Sequence, residues 1–160
     1  MTEPALRDTY LSWTRRAVPV LLVPLALTGA LQAGAASAWW TDPAPSAGAM
    51  RYLFMAVGVA SVMMGRTARM REVASAPLTA AALTSLSWRL VIYALAPAVV
   101  GAVLAFMTRE LGDYYVMLLV TLVGLALLYP RFDQWVTWSA PVIDTAAAPE
   151  ADTATGPEAE

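Results

Sequence analysis

An uncharged stretch occupies residues 17–40 and reads AVPVLLVPLALTGALQAGAASAWW. At a rise of about 1.5 Å per residue, a helix of this length reaches across a hydrocarbon core of about 30 Å. The stretch therefore predicts a transmembrane helix, in which Pro24 removes one backbone donor and kinks the chain. Trp39 and Trp40, at the far end, are typical of aromatic anchors at a membrane surface.

A cleaved signal peptide is the alternative interpretation of this stretch. Arg15 and Arg16 precede it, and its second half offers small residues of the kind found at cleavage sites, namely Ala33, Ala35, Ala36 and Ala38. The full span length and the two prolines, Pro19 and Pro24, favour a span that is retained.

The composition of the whole chain agrees with a membrane protein and excludes several kinds of chemistry. The 160 residues are 59% hydrophobic, with a mean hydropathy of +0.58. There is no Cys and no His, and all basic residues are Arg. Thiolate, imidazole and lysine chemistry are therefore absent. We expect no catalytic residue, no cofactor, no metal and no nucleic-acid partner, so the protein is not expected to be an enzyme.

Three further apolar runs predict spans at about residues 47–65, 87–107 and 113–130. The third span ends a longer run, residues 77–107, in which Arg89 is the one charged residue. The Ala/Thr/Ser-rich stretch before the span is therefore a helical extension or a surface segment. With the first span, these runs predict an all-α integral membrane domain at residues 17–131, with four transmembrane helices arranged as two hairpins.

Three segments flank this domain. Residues 1–16 are predicted to form a cytoplasmic interfacial arm, which lies at the membrane surface. Residues 132–140 predict an interfacial aromatic segment, because Trp135 and Trp138 recur at the three-residue spacing of one helical face. Residues 141–160 are rich in Ala, Thr, Pro and acid, which predicts a disordered acidic tail.

The arginines predict an orientation. Arg51 and Arg109 fall on one side of the predicted spans, and seven fall on the other: Arg7, Arg15, Arg16, Arg66, Arg69, Arg71 and Arg131. The positive-inside rule then places both termini in the cytoplasm of a multi-pass protein of the bacterial inner membrane. Arg89, beside Trp88, is expected to anchor the third span at the inner interface.

Several residues within the spans are candidates for helix packing. Ser61 with Gly65, and Gly101 with Ala105, follow the small-xxx-small spacing that lets helices approach closely. This spacing indicates either a self-association face or matches expected by chance in an alanine-rich chain. Gln32 is expected to hydrogen-bond to another helix, with a substrate contact as the alternative.

Pro97 lies near the middle of the third span and leaves the carbonyl of Tyr93 without its usual amide donor. The resulting kink either lines a cavity or is structural, with a neighbouring helix satisfying the freed carbonyl. In the loop that follows this span, Glu110 and Asp113 are interpreted as part of a solvated turn, with cation binding or acid–base work as the alternative.

Residues 90–135 combine an Ala-Pro-Ala helix, the later Gly101, a short charged turn and the closing sequence YPRFDQW. This pattern resembles a group of small bacterial four-helix membrane proteins, which are distantly similar to the hairpin of the proteolipid c subunit of rotary ATP synthases. In that family a carboxylate stands two residues before the proline, where this chain has Leu95. The resemblance therefore does not imply ion translocation.

These patterns favour a non-enzymatic polytopic inner-membrane protein that acts through helix packing with partners, as an accessory, assembly or anchoring subunit. Its expected partners are the lipid bilayer and other membrane protein subunits or a second copy of itself. The alternative is a small transporter or channel-like protein without an intramembrane proton-coupling carboxylate.

Overall fold

The computed structural model describes residues 3–37, 40, 48–75 and 77–140. These residues form six helices, which are α1 (Glu3–Leu21), α2 (Val23–Ala35), α3 (Gly48–Ser75), α4 (Ala80–Thr108), α5 (Leu111–Leu128) and α6 (Phe132–Ser139). The predicted all-α class is confirmed. Trp39 and the predicted acidic tail, residues 141–160, lie outside the described residues.

Four helical segments are long and apolar enough to cross a membrane. They are Glu3–Ala35, which joins α1 and α2, and the three single helices α3, α4 and α5. This number agrees with the four spans predicted from the sequence. The structure is therefore that of a chain with four membrane-compatible helices.

The first of these segments is interrupted where its prolines lie. The helix breaks at Leu22, and Pro24 lies in the first turn of α2, where a missing backbone donor costs little. Two backbone hydrogen bonds bridge the break, from Leu22 to the Pro19 carbonyl at 3.2 Å and from Ala26 to the Leu22 carbonyl at 3.0 Å. The predicted kink at Pro24 is thus a short helix break.

The helices extend beyond the predicted spans at the end where most of the arginines lie. α1 runs from Glu3 through the predicted arm without a boundary at residue 16, and α3 continues past Arg66 to Ser75. α4 begins at Ala80, with the Thr79 hydroxyl accepting a hydrogen bond from the Ala82 amide. Charged residues mark the end of an apolar run, but the helix can continue beyond them, because a helix remains stable in water when its polar side chains are solvated.

α4 is the central helix of the described structure. α3 and α5 both pack along it, α2 packs against α4 and α5, and α1 and α6 contact its first half. The buried residues of α4 include Leu83, Val91, Ala98 and Leu104. α4 therefore presents buried positions to all the other helices.

Of the two predicted hairpins, the second pair of spans packs together and the first pair does not pack closely within the described residues. α4 and α5 pack as a hairpin, but α2 and α3 do not form a packed pair within the described residues, because each packs mainly against α4. Close packing instead joins α3 and α5 to α4, where Pro97 approaches Gly58 of α3 and Gly101 approaches Met117 of α5.

Candidate functional site

The small residues predicted to pack helices do so within the chain. A Cβ at Gly65 would lie 2.9 Å from Tyr93 Cβ on α4 and 2.7 Å from a methyl carbon of Leu128 on α5. A Cβ at Gly101 would lie 3.0 Å from Met117 Cγ and closer still to Met117 Cβ. Both glycines are therefore used in packing α3, α4 and α5 together. They do not form an open face for self-association.

Two further glycines, which the sequence reasoning missed, belong to the same packing. A Cβ at Gly58 would overlap the terminal methyl of Met117, and one at Gly124 would lie 3.4 Å from the Ala94 carbonyl oxygen. Met117 itself is fully buried. Neither glycine forms a small-xxx-small pair, so that spacing could not have indicated them.

The carbonyl freed by Pro97 is satisfied by α3. The Ser61 hydroxyl lies 3.2 Å from the Tyr93 carbonyl oxygen and 2.7 Å from the Gly58 carbonyl oxygen of its own helix. Pro97 is buried between helices. These contacts favour the structural interpretation of Pro97, in which a neighbouring helix supplies the missing donor.

Gln32 and Thr28 connect the first span to α5. Gln32 Nε2 donates to the Tyr115 hydroxyl at 3.0 Å, which is the kind of interhelical hydrogen bond predicted from the sequence. Thr28 Oγ1 lies 3.1 Å from the hydroxyl of Tyr114, and that phenol also reaches the Pro24 carbonyl. The Pro24 carbonyl thus accepts from Thr28 Oγ1 at 2.8 Å and from the hydroxyl of Tyr114, which is 1% exposed.

The interpretation of Asp113 as part of a solvated turn is wrong. Its side chain is only 7% exposed, and Arg51 Nε of α3 lies 2.8 Å from Oδ1 and 3.1 Å from Oδ2. Thr108 Oγ1 donates to the same carboxylate at 3.0 Å, and Arg51 Nη2 also pairs with Glu110. The contact comes from Arg51, which lies 62 positions away in the chain.

A signal for this ion pair was nevertheless present in the sequence. Arg51 and Asp113 lie near the beginnings of the predicted spans 47–65 and 113–130, and they carry opposite charges. Such residues attract each other strongly where water is scarce. The cluster of Arg51, Thr108, Glu110 and Asp113 joins α3, α4 and α5, and we call it the outer clasp after the side on which the sequence predicts Arg51 to lie.

The predicted interface anchors fall in different environments. Arg89 pairs with Glu72 through Nη1 to Oε1 at 2.5 Å and Nη2 to Oε2 at 3.3 Å. Trp40 is half-buried against Leu31 and Ala105. Trp138 is half-buried, and its carbonyl accepts a hydrogen bond from the Leu78 amide at 2.9 Å.

Trp135, another predicted interface anchor, lies inside the protein. It is fully buried, its Nε1 donates to Ser87 Oγ at 3.0 Å, and its ring lies 5.9 Å from that of Trp13. Tyr10 joins the same cluster, with its ring 5.3 Å from Trp135. α1 and α6 dock on each other through this inner aromatic cluster, because aromatic rings gain more by packing together than by remaining exposed.

Apolar grooves lie on the outside of the described helices, and two of them lie beside α2 and beside the end of α5. The first, of about 480 Å³, lies between α2 and α4 and is lined by small and large apolar residues, including Ala30, Gly34, Trp40, Val103 and Phe106. The second, of about 380 Å³, lies beside the end of α5 and is lined by Leu21, Leu125, Ala126, Tyr129 and Arg131. We call them the α2–α4 groove and the α1–α5 groove.

Within the described residues, no group of three or more Asp, Glu, His or Cys side chains could hold a metal ion. Comparisons of the chain with protein-family models, with curated proteins and with solved structures give no match. The resemblance to four-helix bacterial membrane proteins and to the c-subunit hairpin therefore stays a prediction that rests on the motif of residues 90–135.

Proposed function

We propose that this chain is a multi-pass protein of the bacterial inner membrane, with both termini cytoplasmic, which catalyses no reaction and acts by packing against the transmembrane helix of a partner protein. It would serve as an accessory, assembly or anchoring subunit. The observation that carries the proposal is the α2–α4 groove, which is apolar and opens outward from the helices.

The walls of this groove suit a helix. Ala30 and Gly34 are spaced one turn apart on α2, and Ala102 lies opposite them on α4. Small residues at such spacing let a second backbone approach closely, which is how helices associate where lipid supplies no hydrophobic drive. Trp40 and Phe106 add large apolar contact area to the same groove.

Transport, the alternative function, has less support. A transport path requires polar groups that face a cavity. In the described spans, the polar side chains of Gln32, Ser61 and Thr121 are hydrogen-bonded to protein groups. The α2–α4 groove is lined by apolar residues.

Filling the groove tests the proposal. Ala30→Phe should reduce the amount of partner protein that co-purifies from native membranes in mild detergent by at least about fivefold, because the ring occupies the space of the partner's helix. Ala33→Phe is the matched control, since Ala33 is also exposed on α2 and does not line the groove. Quantitative mass spectrometry of the purified complexes provides the measurement.

Equal recovery of the partner with both variants would contradict the proposed surface. Flux of a substrate through proteoliposomes that contain only this protein would contradict the accessory role and favour transport.

A further inference from the structure

The α1–α5 groove combines an apolar wall with a cation. Leu21 of α1 and Leu125 and Ala126 of α5 form the apolar part. Tyr129 and Arg131 line the same groove just beyond the last residue of α5. An apolar wall that ends in a phenol and a guanidinium has the same polarity pattern as a phospholipid, in which acyl chains join a polar headgroup.

The charge at this end of the groove is not neutralised by the described residues. Arg131 is exposed and forms no ion pair with any described carboxylate. Arg15 and Arg16 of α1 and Asp133 in the first turn of α6 are not among the residues that line the groove. Arg131 is the charged residue of the lining, which therefore carries one positive charge.

We propose that the α1–α5 groove binds one anionic phospholipid, with its phosphate at Arg131 and an acyl chain along Leu21, Leu125 and Ala126. Guanidinium groups bind phosphate strongly and often through two parallel hydrogen bonds. Basic pockets between membrane helices on the cytoplasmic side bind anionic headgroups. The Tyr129 ring lies where interfacial aromatics occur in membrane proteins. The proposal does not depend on the partner protein proposed above.

Native mass spectrometry of the detergent-purified full chain can test this site directly. The protein is incubated with equal amounts of dioleoylphosphatidylglycerol and dioleoylphosphatidylcholine, and the retained lipid is counted. We expect one phosphatidylglycerol to be retained in clear preference to phosphatidylcholine. Arg131→Gln should lower this preference about fivefold, the effect expected for one arginine at a membrane surface.

Two matched control variants distinguish lipid binding in the groove from a general attraction of anionic lipid to a basic protein. Arg71→Gln removes an equal charge from an exposed residue of α3 that does not line the groove, and it should change the preference less than twofold. Ala126→Trp fills the apolar wall and should reduce retention of phosphatidylglycerol, whereas Ala60→Trp, at an exposed position of α3, should not. The Trp variants keep the test valid if Arg131→Gln fails to fold.

Three results of these retention measurements would overturn the proposal. The first is equal retention of the two lipids, and the second is an equal loss with Arg71→Gln and Arg131→Gln. The third is displacement of phosphatidylglycerol by an equal concentration of glycerol 3-phosphate, which would mean that the acyl chain contributes nothing.

The remaining rival occupant is the chain's own C-terminal segment. Its carboxylates can be neutralised by Asp→Asn and Glu→Gln substitutions. If the preference for phosphatidylglycerol appears only in that variant, the groove belongs to the C-terminal segment and the proposal is overturned. The carboxylates concerned are Asp144, Glu150, Asp152, Glu158 and Glu160. Preference already present in the unmodified chain supports the lipid.

Discussion

The carboxylate of Asp113 joins three helices through one side chain. It belongs to the first turn of α5, where a negative charge is favourable, and it pairs with Arg51 of α3. Thr108, the last residue of α4, donates to it at 3.0 Å. Glu110 also contacts Arg51, but its side chain is 61% exposed. Most of the stabilisation from the outer clasp should therefore come from Asp113.

Asp113→Asn is expected to lower the apparent Tm of the detergent-purified protein by about 5 °C. The change removes a charge-assisted hydrogen bond and leaves Arg51 with only an exposed partner. Differential scanning fluorimetry provides the measurement.

Glu110→Gln is the control for this prediction, and it should shift Tm by less than about 1 °C, since exposed ion pairs contribute little. If the two variants lower Tm equally, the buried carboxylate has no special part in the clasp.

The contact between α4 and α5 depends on the absence of a side chain at Gly101. A Cβ there would press on the Cβ of Met117 and lie 3.5 Å from the Cα of Tyr114, so the α5 backbone would have to move. At Gly58 the obstructing atom is the terminal methyl of Met117, which can rotate away. The same glycine-to-alanine change should therefore have different costs at the two positions.

Gly101→Ala is expected to destabilise the protein by about 1–3 kcal/mol, the usual cost of overpacking a close-packed interior. Gly58→Ala should cost less than Gly101→Ala. Gly29→Ala should be neutral or stabilise the protein by about 0.5–1 kcal/mol, because nothing lies within 4 Å of its Cβ position and alanine favours the helix. Midpoints of unfolding in a denaturing-detergent titration rank the three variants, and a Gly101→Ala midpoint equal to that of Gly29→Ala would contradict the packing described.

At the scale of the whole molecule, the other helices pack around α4, and the arginines predict the orientation of the protein in the membrane. The inner aromatic cluster docks α1 and α6 together near one end, while the outer clasp ties α3, α4 and α5 at the other. The described arginines outside the outer clasp and its turn include Arg15, Arg66 and Arg131. They are expected on the cytoplasmic side.

Cysteine labelling in intact cells can test this orientation without background, because the chain contains no cysteine. An impermeant thiol reagent should label Gly112→Cys, which has open space around its Cβ, and should not label Thr67→Cys, which is exposed on α3. Both variants should react after the cells are permeabilised. Labelling of Thr67→Cys from outside would reverse the orientation or change the number of spans.

Local composition was sufficient to predict the all-α class, the four apolar segments and the carbonyl freed by Pro97, because each depends on transfer energy or backbone geometry within one stretch of chain. The tertiary structure decided that α4 lies between α2 and α3, that Arg51 reaches Asp113, and that Trp135 is buried beside Trp13. Lipid solvates every apolar helix about equally well, so hydrophobicity does not select which helices become neighbours. The fit between surfaces, such as Gly101 against Met117, makes that selection. That fit joins residues far apart in the chain, and hydropathy carries no information about it.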